Sequence, residues 1–308
     1  MSFRNTSASA LTAKLASVTV LRVPAPRLAP DRRPVTASAA GKPARPFVTA
    51  LAAGKQDRQF VTALARGLEL LRCFGPGDRW LGNQELARRT GLPRPTVSRL
   101  AHTLTRLGYL KHSREEEQYA LGTAVLSLGY ALLAQLDVRR VARPLMQSLA
   151  EHAGVSVNLG VRDRLGMVYL DTYRSASTFA VQLEVGSRIP LAVTSMGRAY
   201  LCGLPAPERR TLLEQLRLEA GKGWPEVKRG IDRALRDHQR HGLCFSLGDW
   251  RQEVHAVAAP LVSGADGEVL VFSASGAAFQ VGREKLEREI GPRLKNLVDN
   301  VRSALTSG

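Results

Sequence analysis

Residues Asn83 to Leu107 read NQELARRTGLPRPTVSRLAHTLTRL, and this stretch decides how the N-terminal part of the chain folds. Asn83 is suited to cap a short helix. Ala87 is small where a second helix would cross closely, and Gly91 can take a left-handed turn without Cβ strain. After Gly91-Leu92-Pro93 a new helix begins, with Pro95 in its first turn, where a missing N–H is harmless. Val97, Leu100, Leu104 and Leu107 recur at helical steps as the expected buried stripe. The opposite stripe holds Pro95, Ser98, Arg99, His102 and Arg106, a basic face on a helix anchored by its other side. A short helix, a glycine turn and a second, cationic helix make a helix-turn-helix, whose second helix enters the DNA major groove. Arg94, Thr96, Ser98 and Arg99 lie at the end that meets base edges, and Arg99 can pair bidentately with guanine. Arg106, further along, is placed for phosphate. A basic stripe alone would more often be a solvated helix face; the turn and the preceding helix reverse that balance in favour of the DNA reading.

Upstream, Val61, Leu64, Leu68 and Leu71 predict a helix with one apolar face, stopped by Gly75-Pro76-Gly77. Downstream, Tyr109–His112 and Gln118–Leu121 alternate around Ser113–Glu117 and predict a two-stranded wing. Lys111 and Arg114 could touch phosphates from it, whereas Glu115, Glu116 and Glu117 should be repelled by them. Leu121, Val125, Leu128, Leu132 and Leu136 continue at helical spacing. That linker stripe must be buried, either on the same chain or on a second copy that reads the second half of a palindromic operator.

The chain has 308 residues, 44 Lys plus Arg against 27 Asp plus Glu, a formal charge of +17, and 44% hydrophobic residues. Its length suggests about two domains. The positive excess favours a polyanionic partner. No apolar run approaches the roughly 18 residues of a membrane span. Cys73, Cys202 and Cys244 form neither a disulfide framework nor a C-x-x-C metal pattern, so no metal and no cofactor is expected, and the compartment reads as reducing, hence cytoplasmic. Residues 1–57 are rich in Ala, Pro, Ser and Arg without a hydrophobic period and read as a disordered basic tail. A transit peptide, a solvated tail and a misassigned translation start are alternative origins for it.

The run from Val61 to Leu121 resembles the winged helix-turn-helix of the IclR family of bacterial transcriptional regulators. The matching stretches are Leu64-Ala65-Arg66-Gly67-Leu68, Glu85 to Pro93, Thr96-Val97-Ser98-Arg99-Leu100 and Leu107-Gly108-Tyr109. The likeness continues through Ile189-Pro190-Leu191, Thr194 to Ala199, Gly242-Leu243, Val257 to Pro260 and Ser273 to Gly276. It implies an α+β protein with domains at 58–121 (winged helix-turn-helix), 122–137 (linker and dimerisation helix) and 138–308 (GAF-like effector-binding domain). It also implies a homodimer or dimer of dimers that binds double-stranded DNA under the control of a small-molecule effector, often an acidic or aromatic metabolite.

The residues of the C-terminal part agree with α+β. Val155–Val161, Met167–Tyr173, Phe179–Val185, Leu243–Leu247, Val254–Ser263 and Glu268–Ser275 read as strands in mostly hairpin order, the last two joined by Gly264-Ala265-Asp266-Gly267. Ser195–Leu204, Pro207–Leu218, Trp224–His241 and Arg283–Leu305 read as helices. The resemblance places an effector pocket at the loop opening the Thr194–Arg198 helix, with Ser195, Met196, Gly197, Ser246, Ala256, Ser273 and Ser275 as pocket positions. Members that bind small keto acids often carry Asp where Ser246 stands and Cys where Ala256 stands; their absence makes an anionic or bulkier ligand easier to accept. Ser273 and Ser275 alternate and so share one strand face. His255 reads as a half-buried structural residue, Trp250 as a packing anchor beside the pocket, and Cys202 and Cys244 as core. The alternative is an enzyme acting on a small metabolite with a fused DNA-binding module. Ser246, Asp249 and His255 could be imagined as a nucleophilic set, but nothing fixes them in geometry, and no G-x-S-x-G elbow, P-loop, dinucleotide fingerprint or H-E-x-x-H supports it. No catalytic residue is expected.

Overall fold

The computed structural model describes residues 59–175, 183–263 and 267–306. The expected tail, most of the expected strand Phe179–Val185 and most of the expected turn at 264–267 lie outside the described residues. Leu183, Glu184 and Val185, the described part of that strand, are not in a strand; a short strand follows instead at Arg188–Pro190.

The N-terminal domain packs α1 (Thr62–Arg72), α2 (Asn83–Thr90) and α3 (Arg94–Arg106) on a three-stranded sheet. The wing strands β2 (Leu110–Ser113) and β3 (Gln118–Leu121) pair antiparallel, and β1 (Leu81–Gly82) adds to β3. Leu70, Leu81, Leu86, Val97, Ala101, Leu104 and Leu110 fill the core. Two buried stripes differ from those the spacing predicts. In α1 the buried residues are Gly67 and Leu70, because Gly67 brings the helix onto Leu100 of α3; Leu64 and Leu68 stay 62% and 51% exposed. In α3, Ala101 takes a core place, whereas Leu107 lies just past the helix end and is exposed.

Helix α4 (Thr123–Ala134) follows the wing and buries none of its residues; Leu128 and Tyr130 are 60% and 71% exposed. Helix α5 (Asp137–Ala153) comes next, with Pro144 inside it. A six-stranded antiparallel sheet then forms, in the order β6 (Arg188–Pro190), β5 (Gly166–Arg174), β4 (Ser156–Asp163), β9 (Glu268–Ala277), β8 (Val254–Ser263), β7 (Cys244–Leu247). Period-two alternation separates two cores. Val157, Leu159, Val257, Ala259, Leu270 and Phe272 pack on α5 and on the closing helix. That helix starts as one turn (Arg283–Lys285), widens to a π turn (Leu286–Ile290) and continues as α9 (Gly291–Thr306). The other face packs on α6 (Ser195–Gly203), α7 (Ala206–Ala220) and α8 (Trp224–His241) through Met167, Ala258, Val269 and Val271. The tip of the β4–β5 hairpin meets α1: Arg164 pairs with Glu69 at 3.0 Å and Asp163 with Arg72 at 3.6 Å.

Candidate functional site

The turn between α2 and α3 is built by Thr90 and Gly91. Gly91 sits at φ 68° and its N–H closes α2 onto the Ala87 carbonyl at 2.9 Å. Buried Thr90 donates its hydroxyl to the Leu86 carbonyl at 2.7 Å and accepts the Leu92 N–H at 3.3 Å. Arg89 reaches back to Asp78 and Glu85, and with Arg88 it holds the Glu85 carboxyl down to about 2. These contacts fix α2 so that α3 can present its outer side.

On that side Arg94, Pro95, Arg99, His102 and Arg106 are exposed, and Thr96 is half-buried. Arg94, Arg99 and Arg106 make no ion pair with any described residue. Lys111 is exposed on β2. Ser98 is placed differently from the expectation: its hydroxyl accepts from the Asn83 side-chain amide across the α2–α3 angle. Asn83 is accordingly not the cap, for Gly82 holds that position without a side-chain bond. Arg66 of α1 was not found by sequence reasoning, yet it borders one shallow groove with Thr96, Ser98, Arg99 and His102. Only the packing of α1 against α3 puts it there.

The second site lies on the α6 side of the large sheet. Strand register sets its floor: Ser156 of β4 lies opposite Ser275 of β9, Ser275 opposite Ala256 of β8, and Ala256 opposite Ser246 of β7. One row further, Thr172, Asn158, Ser273 and Ala258 are aligned. Thr172 donates to the Asn158 carbonyl oxygen at 2.8 Å, and the Asn158 amide donates to Ser273 at 3.5 Å. Ser246 donates to the Val193 carbonyl at 3.3 Å. Ser156 is 5% exposed and its hydroxyl has no partner among the described residues. Above this floor α6 begins. Thr194 caps it by accepting the Gly197 N–H at 3.1 Å, so Ser195 and Met196 face the cavity with the positive end of the helix dipole. Tyr169, Ile189 and Trp250 supply apolar walls; burial pushes the Tyr169 phenol well above its ordinary pKa, so it is a neutral donor. The concavity measures about 590 Å3 including its open mouth, and no charged side chain lines it among the described residues.

Six of the seven expected effector positions line this cavity: Ser195, Met196, Ser246, Ala256, Ser273 and Ser275. Gly197 does not. It is needed for packing, because a Cβ there would run into the backbone of Leu191. Trp250 is more than the anchor expected, since it lines the cavity. Its loop is held by Asp249, which pairs with Arg198 of α6. The Arg198 side chain is 3% exposed and fills space over Gly230 of α8 that a Cβ would occupy. His255 points the other way and bonds the Val281 carbonyl at 2.8 Å.

A winged helix-turn-helix joined to a small-molecule cavity on an antiparallel sheet defines a ligand-responsive DNA-binding regulator. Comparison with known proteins gives the family. Residues 63–114 match the IclR helix-turn-helix domain and residues 130–302 the bacterial transcriptional regulator IclR C-terminal domain. The chain belongs to the IclR family of transcriptional regulators, with an N-terminal DNA-binding domain and a C-terminal effector-binding domain. It is 36% identical over 241 residues to the HTH-type transcriptional regulator TsaQ1/TsaQ2 of Comamonas testosteroni, covering 78% of this chain and 86% of that one. An IclR family transcriptional regulator from Brucella abortus has a crystal structure 51% identical, with TM-score 0.78, covering 83% of this chain and 98% of that one. The fold also matches an IclR homologue from Microbacterium hydrocarbonoxydans complexed with 4-hydroxybenzoate, at 19% identity and TM-score 0.62, covering 80% of this chain and all of that one. The Comamonas and Brucella relatives are named transcriptional regulators. No helix among the described residues is long and apolar enough to cross a membrane.

Proposed function

We propose that this regulator reads a palindromic operator through the outer side of α3 and is controlled by a small aromatic or organic acid bound between α6 and the sheet. The observation that carries the ligand class is the unpartnered Ser156 hydroxyl in a row with Ser275 and Ser246, in the same cavity as the N-terminus of α6. N–H groups at a helix start favour a carboxylate, and the hydroxyls complete its hydrogen bonds without a basic side chain. Tyr169, Ile189 and Trp250 then cover an apolar ring. Ser246 and Ala256 leave no acidic group to repel the anion. The fold neighbour bound to 4-hydroxybenzoate is consistent with this class and does not by itself assign it.

Arg94, Thr96 and Arg99 read base edges; His102, Arg106, Lys111 and Arg66 hold the phosphate backbone. Ser98, tied to Asn83, positions the two helices. The exposed apolar side of α4 is covered by a second copy, which places two recognition helices roughly 34–36 Å apart, one turn of DNA. The protein acts in the cytoplasm, where its operator is.

A thermal-shift and calorimetric screen of benzoates, hydroxybenzoates and short keto acids tests the reading. Aromatic acids should raise the melting temperature in a concentration-dependent way and alter operator binding. Binding confined to the smallest keto acids, or to neutral sugars, would overturn the ligand class and leave the DNA assignment standing.

A further inference from the structure

Three side chains far apart in the sequence converge behind the cavity wall. Cys202 lies near the end of α6, His238 in the last turn of α8 and Cys244 at the start of β7. The two sulfurs are 3.5 Å apart, and a ring nitrogen of His238 lies within 4.8 Å of both. Both thiols point towards the Ala234 carbonyl, at 3.8 and 3.7 Å. Cys244 is fully buried, and Nδ1 of His238 is buried with no hydrogen-bond partner among the described residues. A buried nitrogen left unpaired is destabilising, and this one belongs to the imidazole that lies against the two sulfurs.

The chemistry of this trio selects the missing group. Two thiolates and an imidazole suit Zn2+ and disfavour the hard cations Mg2+ and Ca2+. With Zn–S near 2.3 Å and Zn–N near 2.0 Å, tetrahedral coordination sets the sulfurs about 3.7 Å apart and each about 3.5 Å from the nitrogen. The observed sulfur separation is within a few tenths of an ångström of that. Two thiolates also neutralise the ion, which removes most of the penalty for burying charge. A water can take the fourth position. A disulfide would engage only the two sulfurs; a metal ion engages all three side chains.

We propose that Cys202, His238 and Cys244 form a Zn2+ site that ties α6, α8 and β7 together. Binding replaces two S–H bonds with two Zn–S bonds and releases two protons; the imidazole binds neutral. Because α6 carries Ser195 and Met196 and β7 carries Ser246, the ion braces the wall of the effector cavity.

The test uses the reduced full-length protein, with Co2+ as a spectroscopic probe and Zn2+ as competitor. One equivalent of Co2+ should produce thiolate-to-metal charge-transfer absorption in the near ultraviolet and intense tetrahedral ligand-field bands. Zn2+ should displace it, release two protons per ion and protect Cys202 and Cys244, but not Cys73, from alkylation. His238→Gln should weaken Zn2+ binding by more than about tenfold, at least the loss known for outer-shell partners. Cys202→Ser should cut the charge-transfer intensity. No charge-transfer band, equal alkylation with and without Zn2+, or unchanged affinity in His238→Gln would overturn the site. A Cys202–Cys244 disulfide under mild oxidant in a protein whose reduced form takes up no metal would overturn it too. If a variant does not fold, the cobalt titration and alkylation of the unmodified protein still decide.

Discussion

Replacing Ser156 by Ala should move stability and ligand affinity in opposite directions. The Ser156 hydroxyl is buried, unpartnered and part of the cavity floor. A buried polar group without a partner carries a penalty of about 1–3 kcal/mol. Ser156→Ala removes the hydroxyl while its Cβ keeps the same place, so the ligand-free protein should gain about 1 kcal/mol, the low end of that range. For a domain of this size that is a rise in melting temperature of roughly 2–4 °C. In the proposed complex the same hydroxyl would donate to the ligand carboxylate. A hydrogen bond to a charged group contributes about 1.5–3 kcal/mol, so affinity should fall about 10–100-fold. Differential scanning calorimetry without ligand and titration calorimetry with the tightest aromatic acid measure the two halves independently. A variant that melts lower and binds equally well would refute the reasoning, because it would show that the hydroxyl is satisfied inside the protein and faces no ligand.

Arg99→Ala should lose about 1–3 kcal/mol at one operator base pair and relax preference there, whereas Arg106→Ala should weaken all sequences alike and lower the salt slope by about one; operator-variant gel shifts at several salt concentrations separate the two. Leu128→Glu with Tyr130→Glu should turn a dimer into a monomer by light scattering, and an unchanged mass would put the second copy elsewhere. Glu85→Gln should flatten the acid limb of stability: the folded carboxyl is held down to about 2 against an ordinary 4.5, so its contribution is full above 4.5 and is lost as pH falls towards 2, which acid melting curves of both proteins would reveal. Asp171→Asn should leave ligand affinity of the isolated regulator nearly intact while shrinking the effect of ligand on operator binding, and an unaltered ligand response would remove this residue from the coupling.

The legible part of the sequence was the part written in local periods. The α2–turn–α3 unit, the wing, α8 over Trp224–His241 and β8 over Val254–Ser263 follow from spacing over a few residues. Helix α1 was found, but its buried face was not, since Val61, Leu64 and Leu68 on one side compete with Leu70 on another and only the contact of Gly67 with Leu100 decides between them. Helix α5 was missed because Pro144 stands in its middle, a residue that ordinarily ends a helix. In the cavity, the resemblance supplied Ser246, Ala256 and Ser273, whereas Ser156, Asn158 and Tyr169 depend on the registers of β4 with β5 and β9, which no local pattern specifies. The Arg198–Asp249 pair and the Cys202–His238–Cys244 cluster escaped for the same reason: each joins elements tens of residues apart.

The architecture also narrows how a ligand could be felt at the DNA. From the cavity floor, Asn158 accepts from Thr172, whose backbone N–H donates to Asp171 at 3.0 Å. Asp171, almost fully buried, pairs with Arg139 at 3.2 Å, and Arg139 donates to the Leu133 carbonyl at 3.2 Å, in the last turn of α4. This chain of polar contacts crosses from one face of the sheet to the other at a β-bulge beside Leu159 and Gly160. The weakest link is at the ligand end, the 3.5 Å contact between Asn158 and Ser273, which is where a polar ligand would compete. Spatial continuity does not itself establish coupling. Any coupling must be reciprocal: if the ligand weakens operator binding by some factor, the operator must weaken ligand binding by the same factor. A polar relay ending on the helix that links the DNA-binding and effector domains satisfies that requirement in both directions, since a shift of α4 imposed by DNA would pull on Arg139 and Asp171 just as a ligand would push on them from Asn158.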